Sequence, residues 1–402
     1  MAVYDVIIHG GAMTGATLAL ALANHSQRPL KIAVIERQVP NFHQQQGFDA
    51  RCIALSQGTC QRFAQIPLSQ TKDHNTNLWQ AIQAFATPIK QIHVSDQGNA
   101  GILQFNAKEF HLEQLGAVVA LHQVGKLLLE QIQQQGNIDY FCPDEIIEVT
   151  HLPQQIQVTL KSNQHLAAKL LVGADGVPSK VAQLNHIPQT ILRDYQQTAI
   201  ITNIQTQQDH QYRAFERFTS QGPIALLPLD QKRMTLVWCV KHIDDLLSLP
   251  EQTFLAKLQQ AFGWRLGKLE QCGQRFAYPL KLVKAEQSIQ PRVVLVGNAA
   301  QTLHPIAGQG FNLAIRDVLA LSDAIQHNEK QGKDIGEYAQ LLHYQQQRQQ
   351  DQGNIINLTD SLVSIFANEL LPMKIGRNLG LFTLAQSRLL RQHFAKLTLG
   401  WV

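Results

Sequence analysis

An apolar run, Val3 to Ile8, opens the chain and leads into Gly10-Gly11-Ala12-Met13-Thr14-Gly15. Small residues from Ala16 to Ala23 follow at helical spacing, and a second apolar run, Lys31 to Ile35, ends at Glu36. This is the order strand, glycine-rich turn, helix, strand. Residues 110–135 carry apolar positions at Leu115, Val118, Val119, Leu127, Leu128 and Leu129, which predict one helix. From 138 to 172 apolar and polar positions alternate, as in Gln155-Ile156-Gln157-Val158-Thr159-Leu160, which predicts antiparallel strands closing on Leu170-Leu171-Val172. Residues 195–245 again read as strands, including Ile224 to Pro228 and Thr235 to Cys239. Arg292 to Val296 is a short buried strand, and beyond 313 the pattern is helical to the end.

Three glycine-bearing segments carry the candidate chemistry. The first is the opening turn. In a GxGxxG fingerprint the glycines allow a tight turn, close approach of backbone to a pyrophosphate and close helix–strand packing, and the helix N-terminus faces the phosphates. Gly10 and Gly15 hold the first and third places, whereas Ala12 puts a methyl group at the second. Glu36 lies about 20 residues further on, at a strand end, where a carboxylate accepts from ribose hydroxyls. The second segment, Ala174-Asp175-Gly176-Val177-Pro178-Ser179, follows an apolar run, as a turn at a ligand crevice does. The third begins at Gly297-Asn298-Ala299-Ala300-Gln301 and continues through His304-Pro305-Ile306-Ala307-Gly308-Gln309-Gly310-Phe311-Asn312 to Asp317. Its bare loop precedes a helix whose N-terminus favours negative charge, such as the pyrimidine edge of a reduced flavin.

Composition sets limits. With 402 residues the chain is long enough for two domains, and the interleaved pattern makes them discontinuous. A net charge of +4 is too small to argue for nucleic acid. No apolar run is long enough to cross a bilayer, and no basic stretch precedes the first apolar one, so no secretory signal is expected. The cysteines, Cys52, Cys60, Cys142, Cys239 and Cys272, show no CxxC spacing and suit reduced, buried thiols in the cytoplasm. No metal set, Ser-His-Asp arrangement or carboxylate pair stands out. His304, with Pro305, is read first as ordering its loop and otherwise as facing flavin or substrate. Chemistry without an acid–base set points to a cofactor.

Together the three segments resemble the class A flavoprotein aromatic monooxygenases, the group of p-hydroxybenzoate hydroxylase, and more narrowly the ubiquinone-biosynthesis hydroxylases. His304 to Asp317 match the signature His-Pro-aliphatic-small-Gly-Gln-Gly-x-Asn-x-Gly-x-x-Asp, with Ala314 replacing its last glycine. Gly47 to Arg51, Ala214 to Thr219, Phe262 to Gly267 and Thr398 to Trp401 are similar to the branch acting on 2-polyprenyl-6-methoxyphenol. Asn298 stands where the wider family has Asp, Gln301 where it often has His, and Ala182 where an Arg is common.

The resemblance implies an α/β fold: a Rossmann-like FAD-binding domain of the glutathione-reductase type, an interleaved β-sheet substrate domain and C-terminal helices. The expected division is 1–72, 103–184 and 274–340 for FAD, 73–102 and 185–273 for substrate, and 341–402 for the helices. Cofactor contacts are implied at Gly10, Gly11, Ala12, Gly15, Glu36, Arg37, Arg51, Gln123, Asp175, Asn298, Gly308, Gln309, Gly310, Phe311 and Asn312. The implied reaction is hydroxylation of a polyprenylated phenol. NAD(P)H visits transiently to reduce FAD, O₂ adds to form a C4a-hydroperoxide, and one oxygen passes to the ring. A flavin-binding scaffold and an isoprenoid-lipid flavin reductase stay open as alternatives.

From Leu370 to Val402 there is no acid, while Lys374, Arg377, Arg388, Arg391 and Lys396 interleave with apolar residues. Such helices lie on anionic membrane surfaces or cover a protein face. The expected partners are thus the lipid substrate, O₂, other ubiquinone-synthesis proteins and the inner face of the cytoplasmic membrane.

Overall fold

The computed structural model describes residues 1–25, 28–42, 51–68, 76–241, 246–367 and 370–399. Gly47 to Ala50 and Gly400 to Trp401, two of the family-like segments, lie outside them. Two eight-stranded sheets and one three-stranded sheet carry the fold. In the first sheet, Val293–Leu295, His165–Gly173, Ala2–His9, Ile32–Ile35 and Ile138–Phe141 lie side by side in parallel. Ile156–Leu160 and Ile146–His151 extend it as antiparallel strands. The parallel strands are almost wholly apolar because both faces are covered. Helices Met13–His25, Leu121–Gln133 and Gln309–Lys330 supply much of the core on one face, through Leu18, Leu22, Val124, Leu128, Val318 and Leu321.

The second sheet is largely antiparallel, in the order Leu269–Cys272, Gln189–Thr206, Arg233–Val240, Pro223–Asp230, Arg213–Phe218, Gln91–Asp96, Ile102–Asn106. Phe276–Ala285 pairs along Gln189–Thr206. The division by sequence placed Ile102–Asn106 mostly, and Phe276–Ala285 wholly, with the cofactor segments; both hydrogen-bond within this second sheet. Helix Glu251–Phe262 covers one face, burying Phe254, Leu258 and Phe262 against Phe215, Leu226 and Trp238.

The single helix expected over 110–135 is not formed. Gly116–Ala120 is a strand between Cys52–Ser56 and Thr87–Ile89, and the helix starts only at Leu121. The Ala117-Val118-Val119 run is buried on both sides, and two adjacent β-branched residues favour the extended chain.

The C-terminal helices Tyr338–Ala367, Leu371–Gln386 and Arg388–Leu399 close over the other face of the second sheet. Phe366 stacks on Phe218 with ring centroids 3.7 Å apart. Three ion pairs tie helix to sheet side: Arg193–Asp360 at 2.6 Å, Arg377–Asp96 at 2.7 Å and Arg391–Glu109 at 2.6 Å. The tail is therefore not the free basic face its sequence suggests. Arg377 is buried, 4% exposed in its side chain against 2% for Asp96, and Arg391 is engaged by Glu109. The acids that neutralise them come from about 280 residues away in the chain.

Removing Arg377 strands Asp96 as a buried charge, a change that costs about 3–5 kcal/mol. Arg377→Ala is expected to lower the melting temperature and to open the C-terminal helices to limited proteolysis. Adding Asp96→Asn should restore part of both losses. Unchanged melting and digestion in the single variant would show that the pair does not hold the helices.

Candidate functional site

The carboxyl ends of three parallel strands meet at one crevice. Ala2–His9 ends at Gly10, His165–Gly173 at Ala174, and Val293–Leu295 at Val296-Gly297. Gly10 has φ +106° and donates its N–H to Ile35 O at 2.8 Å. A Cβ on Gly10 would stand 2.4 Å from Ala174 O, and one on Gly15 would stand 1.9 Å from Gly10 O. These two glycines are thus fixed by close approach of backbone to backbone. Ala12 is exposed and its carbonyl accepts from Ala16 N–H at 2.9 Å, opening helix Met13–His25. Its methyl therefore costs the turn nothing.

Glu36 accepts from Gly11 N–H at 2.8 Å and from Gln38 N–H at 3.0 Å. Two N–H groups, one from each side, aim the carboxylate at the turn, and its remaining lone pairs can accept hydroxyl donors. The helix behind the turn has no acid in its first turn, so its N-terminal N–H groups present an uncompensated positive end. That donor set suits a dinucleotide pyrophosphate with its ribose. Arg37 and Gln123 are exposed, and Arg51, also exposed, donates to Tyr278 Oη at 2.9 Å, bridging to the second sheet.

Asp175 does not point into the crevice with a spare carboxylate. It accepts from Ser179 Oγ at 2.7 Å and Val181 N–H at 3.0 Å, and lies 3.3 Å from His9 Nδ1. Burial opposes its ionisation, yet His9, Ser179 and Val181 outweigh burial and hold the carboxyl below its usual range. Asp175 therefore fixes the turn. Its neighbour Gly176, at φ +80°, has open space where a Cβ would be.

Asn312 is also an internal tie. Its Oδ1 accepts from Ser56 N–H at 2.8 Å and Thr59 Oγ1 at 2.7 Å, and its Nδ2 donates to Gly308 O at 2.6 Å and Ala54 O at 3.1 Å. All four of its hydrogen-bonding positions are used, and they clamp the glycine loop to strand Cys52–Ser56. Gln309 is buried in the first turn of helix Gln309–Lys330. Gly308 sits at φ +63° as that helix begins, and the first turn carries no acid. Asp317, last in the signature-like segment, receives Arg348 at 2.7 Å and pins the helix to Tyr338–Ala367.

A cavity of ≈ 730 Å³ joins this loop to the second sheet. Asn298, Pro305, Gly308, Gly310, Phe311 and Asn312 line one end. Leu103, Phe105, Ala214, Leu227 and Val237 form the sheet wall, and Phe366, Gly376, Gly380 and Leu381 form the helical one. A Cβ on Gly310 would meet no protein atom within 4 Å, so a flat bare surface is open to a planar ligand there. His304, by contrast, is outside the lining. It is fully buried, its ring stands edge-on to Tyr195, and its Nε2 lies 3.1 Å from Gln197 Oε1. Burial, with Arg193 nearby, lowers its pKa to about 4, so it is neutral and orders its loop.

One lining residue that the sequence reading gave no role is Glu216. The signal was there: in Ala214-Phe215-Glu216-Arg217-Phe218 the acid occupies the apolar phase of the alternation. Burial in the cavity wall pushes its carboxyl up to about 7. Among the described residues, no cluster of His, Cys, Asp or Glu is arranged to hold a metal.

The sequence profile of the FAD binding domain family matches residues 3–357. The chain is 32% identical over 400 residues to the ubiquinone hydroxylase UbiL of Rhodospirillum rubrum, spanning 99% of this chain and 90% of that protein. It is 30% identical to the 3-demethoxyubiquinol 3-hydroxylase of Escherichia coli over 98% of each chain. Its fold is similar to the crystal structure of p-nitrophenol 4-monooxygenase PnpA from Pseudomonas putida, with a TM-score of 0.79 at 15% identity and 99% of each chain covered.

Gly310→Ala separates fold from cofactor. Alanine is the better helix former by about 1 kcal/mol, and no atom opposes the methyl, so the cofactor-free protein should melt no lower. FAD affinity, followed by flavin fluorescence, should fall about tenfold, the equivalent of about 1.4 kcal/mol. Equal affinity would mean that the bare face is not used.

Proposed function

Because the chain belongs to the FAD binding domain family, we propose that its cavity presents the ring of a polyprenylated methoxyphenol to FAD for hydroxylation in ubiquinone biosynthesis. The protein is an FAD-dependent monooxygenase. One observation carries the substrate reading: a single apolar cavity runs from the glycine loop to the C-terminal helices, and the outer flank of those helices is apolar as well.

The residues of the chain divide the work. The start of helix Met13–His25, set close to the strand by Gly10 and Gly15, offers backbone N–H groups to a pyrophosphate, and Glu36 accepts from a ribose. The Gly308-to-Gly310 loop, held by Asn312, offers a bare surface and the positive end of a helix to the flavin ring. When bound, FAD supplies the redox chemistry, taking electrons from NAD(P)H and delivering one oxygen atom of O₂. The apolar walls keep water from the reacting centre and hold the phenol beside it.

The tail supports a membrane role by a route other than net charge. Ile375, Leu379 and Phe382 are each about 60% exposed on the flank of helix Leu371–Gln386, and Leu389 beyond it is 77% exposed. Arg388 and Lys396 remain exposed as cations. The opposite flank, with Gly376, Gly380 and Leu381, lines the cavity. This arrangement suits an interfacial helix resting on an anionic bilayer, on the inner face of the cytoplasmic membrane, with the substrate's tail in the lipid.

FAD-loaded protein given NAD(P)H and a short-chain 2-prenyl-6-methoxyphenol should consume O₂ in step with the phenol and release a hydroxylated ring. Reduction without oxygen insertion would indicate a flavin reductase, and bound flavin that is never reduced would indicate a scaffold; either result sinks the reading. For the membrane role, Leu379→Glu with Phe382→Glu should weaken sedimentation with phosphatidylglycerol vesicles by about tenfold or more, since each exposed side chain loses burial of order 1.5–3 kcal/mol. Vesicle binding that survives both changes would rule this flank out.

A further inference from the structure

Glu216 lies on strand Arg213–Phe218, whose alternation sends the side chains of Ala214, Glu216 and Phe218 to the cavity face, while the ring of Phe215 packs on the other face against Phe262. Its partners in the sheet are Val94 on one side and Ala225 on the other, both apolar and both in the cavity wall. Among the described residues that line the cavity it is the only carboxylate. No cation or hydrogen-bond donor among the described residues engages it, and burial alone raises its pKa.

The groups that face it are few. The Cys239 thiol, one strand removed on Arg233–Val240, is driven up by burial and by Glu216 itself, and stays neutral. Cys52, elsewhere in the lining, is held neutral by burial, its pKa pushed up to about 12. From the helical side comes Arg377, which is spent on Asp96. Arg217 turns to the opposite face, donating to Ala261 O at 2.9 Å, and His93 packs there against Phe215. The glycine-loop end contributes no ionisable side chain to the lining. Burying a carboxyl without a partner is costly, and such groups cluster where protons are exchanged.

We infer that Glu216 is the catalytic base that takes the hydroxyl proton of the phenol bound in this cavity, an inference that rests on the phenol reading given above. Oxygen transfer is electrophilic on the ring, and a phenolate is the more electron-rich form. The O–H bond of the phenol breaks, its proton passes to the Glu216 carboxylate, and the electron pair stays on the ring oxygen. A new C–O bond forms at a ring carbon with one atom of O₂, while NAD(P)H, through FAD, supplies the two electrons that release the other atom as water. The ring carbon then loses its hydrogen as a proton, aromaticity returns, and Glu216 gives its proton back to the ring oxygen. Phenol, O₂, NAD(P)H and one proton thus become a dihydroxylated ring, NAD(P)⁺ and water.

The test uses FAD-loaded wild type, Glu216→Gln and Glu216→Asp with a short-chain 2-prenyl-6-methoxyphenol. In wild type the bound phenol should show the absorbance of a phenolate, and kcat/KM should rise with pH through about 7. Glu216→Gln should lose that limb, show the neutral phenol at pH 7.5 and hydroxylate about 10²-fold more slowly, the usual effect of removing a general base. Glu216→Asp should recover part of both. A glutamine variant that keeps the phenolate signal and the limb near 7 overturns the assignment.

A second measurement needs no substrate. A carboxyl raised from 4.5 to about 7 takes up protons on folding. Its contribution to stability is present below pH 4.5, falls as pH rises between those values, and is gone above 7. Glu216→Gln should therefore melt progressively higher than wild type from pH 4.5 to 7.5, and a pH-independent difference would overturn the assignment. If the melting trend appears but wild type neither binds nor hydroxylates the phenol, the phenol reading is what fails, and the base role falls with it.

Discussion

The cavity exists because a helix is held across a sheet face that would otherwise lie open, and one buried ion pair does the holding. Asp96 stands at the end of a strand in the second sheet, Arg377 in the middle of helix Leu371–Gln386, and both are almost fully removed from solvent. Neither charge tolerates separation in that setting. Arg377 also donates to Phe366 O at 3.1 Å, and Phe366 stacks on Phe218, so the pair sets the position of the preceding helix as well. The apolar wall that shapes a ligand thus depends on two charges that answer each other.

The cofactor end is built on a different principle, exclusion of side chains. Backbone meets backbone at Gly10, Gly15 and Ala174, and the space above Gly310 is left bare. Polar residues there work mostly as fasteners. Asp175 and Asn312 spend their hydrogen bonds inside the protein, and Asp317 spends its charge on Arg348. What the crevice leaves available is backbone, Glu36 and the ends of helices.

Local pattern made the cofactor end legible and hid the helical wall. The opening strand–turn–helix–strand unit, the strands of 138–172 and the loop from His304 are continuous in sequence, so periodicity and glycine placement expose them. Gly116–Ala120 was hidden because a short apolar run fits either period, and only its pairing with two distant strands decides it. The tail's choice between membrane and protein face was hidden for a related reason. Its cations look unpaired along the chain, whereas Asp96 and Glu109 answer two of them from the far side of the fold. Glu216 could have been noticed as an acid in an apolar phase, but its environment is a product of three elements that the sequence does not show to be neighbours.

Helix Leu371–Gln386 forms the wall that gives this cavity its far side. That wall is one helix thick, about 10 Å. On its inner flank Gly376 and Gly380 sit one turn apart, with no atom opposing either; on its outer flank the residues are apolar and exposed. A ring inside the cavity and a tail outside are then separated by little more than the width of a backbone. Each methylene of the tail would pass from one apolar medium to another, so almost none of the ~0.8 kcal/mol per methylene that water would exact is incurred. On the membrane reading proposed above, such a wall would make the enzyme nearly blind to tail length: it would grip the head of an amphiphile and leave the remainder dissolved where it was.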